Sequence, residues 1–105
     1  MALATIHSGI CGFTTRVQAT LADDGRHVDL AITSNCQAVQ ELAAALTQVD
    51  PFQEITYRGA GPKTLAMAPQ HLRHTACPVA AGIIKAVEVA AGLALPAEAR
   101  IELSS

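Results

Sequence analysis

FTTRVQATLADDGRHVDLAI, residues 13–32, decides the fold. Its first half alternates, with Phe13, Thr15, Val17, Ala19 and Leu21 on one face and Thr14, Arg16, Gln18 and Thr20 on the other. After Ala22-Asp23-Asp24-Gly25 the alternation resumes, with Val28, Leu30 and Ile32 opposing His27 and Asp29. Two period-2 runs around an Asp/Gly turn make a β-hairpin with one apolar face to cover. Upstream, Ala2 to His7 reads as a further strand ending at Ser8-Gly9.

The cover comes from two helices. Ser34-Asn35-Cys36-Gln37 reads as a capping box, in which Ser34 accepts from the Gln37 amide and the Gln37 side chain returns the bond. Val39, Leu42, Ala43, Leu46 and Val49 follow at helical spacing, so a helix is expected over 35–49, stopped by Asp50-Pro51. Between residues 51 and 76, glycines and prolines break the pattern into turns, with one helical piece expected around Thr64–Met67 and another over Pro69–His74. The strongest helix spans 78–91, opened by Cys77-Pro78 and closed at Gly92. Val79, Ile83, Ile84, Val87, Ala90 and Ala91 cover more than one of its faces, which predicts burial on most sides, and Gly82 would let a neighbour approach closely. Ala97 to Leu103 alternates again, Ala97, Ala99, Ile101 and Leu103 against Glu98, Arg100 and Glu102, and is expected as a closing strand. The expected architecture is a single α+β domain, 1–105. It is a two-layer sandwich in which a small, mainly antiparallel sheet of three or four strands, the N-terminal hairpin plus the C-terminal strand, packs on helices 35–49 and 78–91.

Composition narrows function mainly by exclusion. A chain of 105 residues has room for one core. A net charge of −2 with 15% charged residues argues against a nucleic-acid module carried by electrostatics, and 3% aromatic residues leave no stacking platform for bases. With 21 alanines, the core is built from small aliphatic side chains. The most apolar tract, Pro78 to Pro96, holds Lys85 and Glu88 and is interrupted by Gly82 and Gly92, so no membrane span is expected. The first residues lack the basic flank and apolar stretch of a signal peptide, and a cytoplasmic protein with reduced thiols is the expectation.

Those thiols are the one chemical signal. Cys11, Cys36 and Cys77 are separated by 25 and 41 residues, so no C-x-x-C motif exists. Their contexts are alike in another way. Cys11 lies in a glycine-flanked loop between strands, Cys36 in the first turn of a helix, and Cys77 at the expected N-cap of another. Helix N-termini present unpaired amides that favour thiolate over thiol, which metal and cluster sites require. Among the histidines, His74 stands three residues before Cys77 and is the candidate fourth ligand for zinc. The competing reading is that cysteine, one of the most buried residue types, simply packs in an Ala-rich core. A thiol nucleophile assisted by His74 is a third reading, with nothing in the sequence to orient the histidine.

Three tracts carry a resemblance: His7-Ser8-Gly9-Ile10-Cys11-Gly12-Phe13-Thr14-Thr15, Ile32-Thr33-Ser34-Asn35-Cys36, and Cys77-Pro78-Val79 through Lys85-Ala86-Val87-Glu88-Val89-Ala90-Ala91-Gly92-Leu93-Ala94-Leu95-Pro96. In them the chain resembles a group of small three-cysteine proteins of anaerobic archaea and bacteria for which no activity is established. The resemblance implies that Cys11, Cys36 and Cys77 belong to one site, and an anaerobic setting suits an oxygen-sensitive cluster. The leading expectation is therefore a small protein binding zinc or an iron–sulfur cluster through Cys11, Cys36, Cys77 and, for zinc, His74. The alternative is a non-catalytic interaction module whose Ala-rich helices pack into a homo-oligomer or onto a protein partner, with its cysteines inert and buried.

Overall fold

A computed structural model describes all 105 residues, Met1–Ser105. β1 (Ala2–His7) pairs antiparallel with β2 (Thr14–Leu21), and β2 with β3 (Val28–Ser34), in the order the alternation predicts. Register follows from the apolar faces: Ala4 lies opposite Val17, and Val17 opposite Ile32. Thr15, Val17 and Ala19 are buried while Arg16, Gln18 and Thr20 are exposed, so one face of the sheet is packed and the other open. In the β2–β3 turn the Asp24 carboxylate accepts from the Arg26 and His27 amides and meets His27 Nδ1 at 2.6 Å.

The fourth strand differs from the expected one. Helix α1 (Gln37–Ala45) ends at Leu46, four residues before the expected stop, and Gln48–Val49 form β4 beside Val28–Asp29. Leu46 and Val49 are buried as the periodicity required, but they are reached by one helical cap and one strand residue. Ala97–Leu103, expected to close the sheet, forms no strand: residues 95–105 have no regular structure and are exposed throughout. Alternation supplies two faces, but a strand also needs a hydrogen-bonding edge, and this segment is laid against none.

The poorly patterned middle folds into α2 (Pro51–Glu54) and α3 (Lys63–His71). Asp50 caps α2 by accepting from the Phe52 amide at 3.0 Å. The two pieces expected around Thr64–Met67 and Pro69–His74 fuse into one helix with Pro69 inside it. What starts α3 is remote in sequence. The buried Glu54 carboxylate accepts from the Lys63 amide at 2.6 Å, the Thr64 amide at 3.0 Å and the Thr64 hydroxyl at 2.5 Å. An acid from one helix thus satisfies the orphan donors of the next.

Helix α4 (Val79–Ala90) lies across β1 and β2. Its end is a Schellman cap, with Gly92 at φ +74° donating to Val89 and Leu93 donating to Glu88. Val79, Ile83 and Val87 have no exposure at all and join Ala2, Ile6, Val17, Ala19, Val28, Leu30, Val39, Leu42, Leu46, Val49 and Ala86 in one core. Gly82 faces Ile6 so closely that a β-carbon there would collide with the Ile6 side chain.

Two expectations follow. Ile83→Ala should destabilise by ~2–5 kcal/mol through lost burial and a cavity. Gly82→Ala should also destabilise, by ~1–3 kcal/mol of overpacking, outweighing the ~1 kcal/mol gain in helix propensity; denaturant midpoints read both, and a stabilised Gly82→Ala would mean Ile6 yields freely. A third concerns acid. The His27 hydrogen bond, followed by the two backbone amides, holds the Asp24 carboxyl well below the ordinary aspartate range. Its contribution to the turn is full above the ordinary value near 3.8 and is lost as pH falls below it. Asp24→Asn should flatten the acid limb of the stability–pH curve, read from denaturant midpoints across that range.

Candidate functional site

The hydrogen-bonding register brings the segments of Cys11 and Cys36 to one end of the sheet. His7, the last residue of β1, pairs with Thr14, and Ile6–Thr15–Ser34 form a row across three strands. The loop holding Cys11 and the turn holding Cys36 therefore leave the sheet side by side, joined by a bond from the Thr14 amide to Asn35 Oδ1 at 3.2 Å. Gly82 against Ile6 sets the first turn of α4 under the same end, and Cys77 is five residues earlier. Each thiol is free.

Local chemistry differs among the three. The β1–β2 loop is closed by Ser8 donating to Phe13 and Gly12 donating to Gly9, with Gly9 and Gly12 both at positive φ. That geometry pushes Ile10 and Cys11 out as an exposed tip. Cys36 is the N-cap residue of α1 rather than a first-turn residue, because the expected capping box does not form. Ser34 instead accepts from the Cys36 amide at 3.1 Å and from the buried Thr15 hydroxyl at 2.9 Å, while Gln40 donates to the Ser34 carbonyl. Cys77 sits one residue outside α4, whose N-cap is Pro78. Neither α1 nor α4 has a side-chain cap at its N-terminus, so the first-turn amides beside Cys36 and just beyond Cys77 are left free of side-chain acceptors.

Cys36 and Cys77 are half-buried against the core, whereas Cys11 is exposed. His74 is exposed, and its carbonyl accepts from the Cys77 amide at 3.2 Å in the turn leading to α4. As folded, no three His, Cys, Asp or Glu side chains are grouped closely enough to hold a metal ion. The expected set Cys11, Cys36, Cys77 and His74 is thus not brought together as a ligand group. Thr15, Ser34 and Asn35 organise this end of the sheet; the sequence places Thr15 on a strand face and Ser34-Asn35 in a helix cap, and the hydroxyl on an otherwise apolar face is the signal that links them.

A cleft lies elsewhere. About 260 Å³ is enclosed between the end of α2, the following loop and α4, lined by Tyr57, Leu65, Ile84, Lys85 and Glu88 among others. It contains no cysteine or histidine, and its one buried carboxylate, Glu54, is spent on α3. No helix is long and apolar enough to cross a membrane.

The chain belongs to the DUF6951 family, a family of unknown function, whose pattern matches residues 2–103. No curated protein and no solved structure matches it.

Exposure orders the thiols by access. Under reducing conditions a small alkylating reagent should modify Cys11 first and Cys36 and Cys77 more slowly, as peptide mass mapping over time would read. Equal rates for all three would mean that the packing around Cys36 and Cys77 is open.

Proposed function

We propose that this protein binds a metal centre through Cys11, Cys36 and Cys77, and that an iron–sulfur cluster suits the site better than a single zinc ion. The supporting observation is that the segments of the free Cys11 and Cys36 thiols leave the sheet at the same end, and that the free Cys77 thiol precedes the helical turn packed on Ile6. Two of them adjoin helix N-termini without side-chain caps, where amides and the helix dipole offset thiolate charge. A zinc ion needs all its ligands at ~2.0–2.3 Å from one point, and the side chains as folded are not gathered in that way. A cluster's irons stand apart from one another, so thiolates can reach it without converging on a single atom. Three cysteines can serve three irons of a four-iron cluster, leaving the fourth for another ligand; His74 remains the candidate fourth ligand for zinc. Cys11, on an exposed tip held by two positive-φ glycines, is the ligand whose movement disturbs the fold least. That exposure also counts against the reading in which all three cysteines are buried and inert. As part of the same proposal, the protein belongs to anaerobic archaea and bacteria and works in a reducing cytoplasm, a setting that an oxygen-sensitive centre would need.

The decisive experiment is anaerobic purification followed by iron, zinc and acid-labile sulfide analysis with an absorption spectrum. Iron and sulfide in equal amounts, with visible charge-transfer absorbance, are expected; zinc alone would replace the cluster with a Cys₃His site. On the same preparation, Cys36→Ser should lose the metal while the fold stays mostly intact, because serine is a poor ligand for soft metals. No metal in the anaerobic wild-type protein, together with a ~1–3 kcal/mol loss in Cys36→Ser from a hydroxyl in an apolar site, would reduce Cys36 to packing.

A further inference from the structure

The sheet has one full-length open edge, and the chain has one unpaired strand. In the order β1-β2-β3-β4, β1 is terminal and presents its outer backbone groups along six residues. At the other edge β4 covers part of β3. An edge of this kind is a template for another strand unless it is blunted. β1, Ala2-Leu3-Ala4-Thr5-Ile6-His7, contains no proline, no glycine and no lysine that would blunt it.

The tail has the form of the missing strand. Arg100 pairs with Glu98 at 3.2 Å and with Glu102 at 3.4 Å. Ion pairs between residues two apart require an extended backbone, with Glu98, Arg100 and Glu102 on one side. Ala97, Ala99, Ile101 and Leu103 then share the other side, and Ile101 and Leu103 are 79% and 91% exposed. The segment makes no backbone hydrogen bond to the rest of the molecule. At ~3.3 Å per residue its seven residues span about 23 Å against about 20 Å for β1. The family match runs through Leu103 and so includes the tail.

We propose that Ala97–Leu103 pairs with the β1 edge of a second copy of this chain, in a symmetric dimer that exchanges its C-terminal strands. Its own β1 edge is left open while the tail stands free, and one operation on two copies satisfies both edges and both tails. The apolar side of the donated strand meets the flank of α4 that overhangs β1. Gly82 and Val89, seven residues apart on that flank, are only half-buried in the single chain. Glu98, Arg100 and Glu102 continue the open polar face of the sheet, beside Thr5 and His7. This pairing is independent of the metal reading and uses none of the cysteines.

The test uses the full chain in reductant, so that disulfides through the exposed Cys11 play no part. Sedimentation or light scattering should give twice 10.9 kDa, and hydrogen exchange should show protected amides in both β1 and residues 97–103. Ala99→Pro removes a donor from a residue that is exposed and unpaired in the single chain, so the fold should survive while the mass halves and both protections are lost. Ile101→Glu should do the same without touching the backbone. A monomer with a freely exchanging tail would overturn the proposal. So would a monomer with a protected tail, which pairs with its own edge, and so would a dimer that survives Ala99→Pro, which is held by another surface.

Discussion

Everything in the structure leans on one contact, the seating of α4 on β1 and β2 with Gly82 against Ile6. A four-stranded sheet of this size cannot bury an apolar face alone, and only a helix with small and β-branched residues on its inner side can approach closely enough. Val79, Ile83, Ala86 and Val87 provide that side, and the absence of a β-carbon at Gly82 lets the first turn descend onto the end of β1.

A second arrangement keeps the Ala-rich chain from collapsing into a looser bundle. Polar groups at the junctions are all accounted for, and no buried side-chain nitrogen or oxygen lacks a partner. Glu54 holds the start of α3, and Thr15, Ser34 and Asn35 tie the ends of the strands to the turn before α1. Each of these bonds spans residues that are apart in sequence, so they fix how elements meet rather than whether they form. Removing one partner would leave the other buried without water, which is why such groups specify geometry more than they add stability.

The three thiols come from unrelated segments: a loop tip, a helix N-cap and a pre-helix turn supply one sulfur each. Two are braced by the core and one is held on a tip between two positive-φ glycines. The cleft beside Tyr57 and Ile84 is lined by apolar side chains together with Glu54, Lys85 and Glu88.

Local pattern determined what local physics governs. Period-2 alternation and the Asp/Gly turn gave β1, β2 and β3, and Gly92 gave the end of α4, because side-chain periodicity and positive φ are properties of a few neighbouring residues. The cysteines were legible as residue types, and the shared end of Cys11 and Cys36 followed once the hairpin register was known, whereas Cys77 depends on how α4 packs. Tertiary structure alone decided the rest. Helix α1 stops at Ala45 because Gln48–Val49 are taken by the edge of β3, an outcome invisible to a periodicity that Leu46 and Val49 satisfy either way. The Ser34 capping box gave way to a turn because the Thr15 hydroxyl, from another strand, claims the same oxygen. Helix α3 begins where a carboxylate nine residues upstream reaches its amides. Ala97–Leu103 has the pattern of a strand and remains single, since a strand is completed by a hydrogen-bonding neighbour that no sequence window contains.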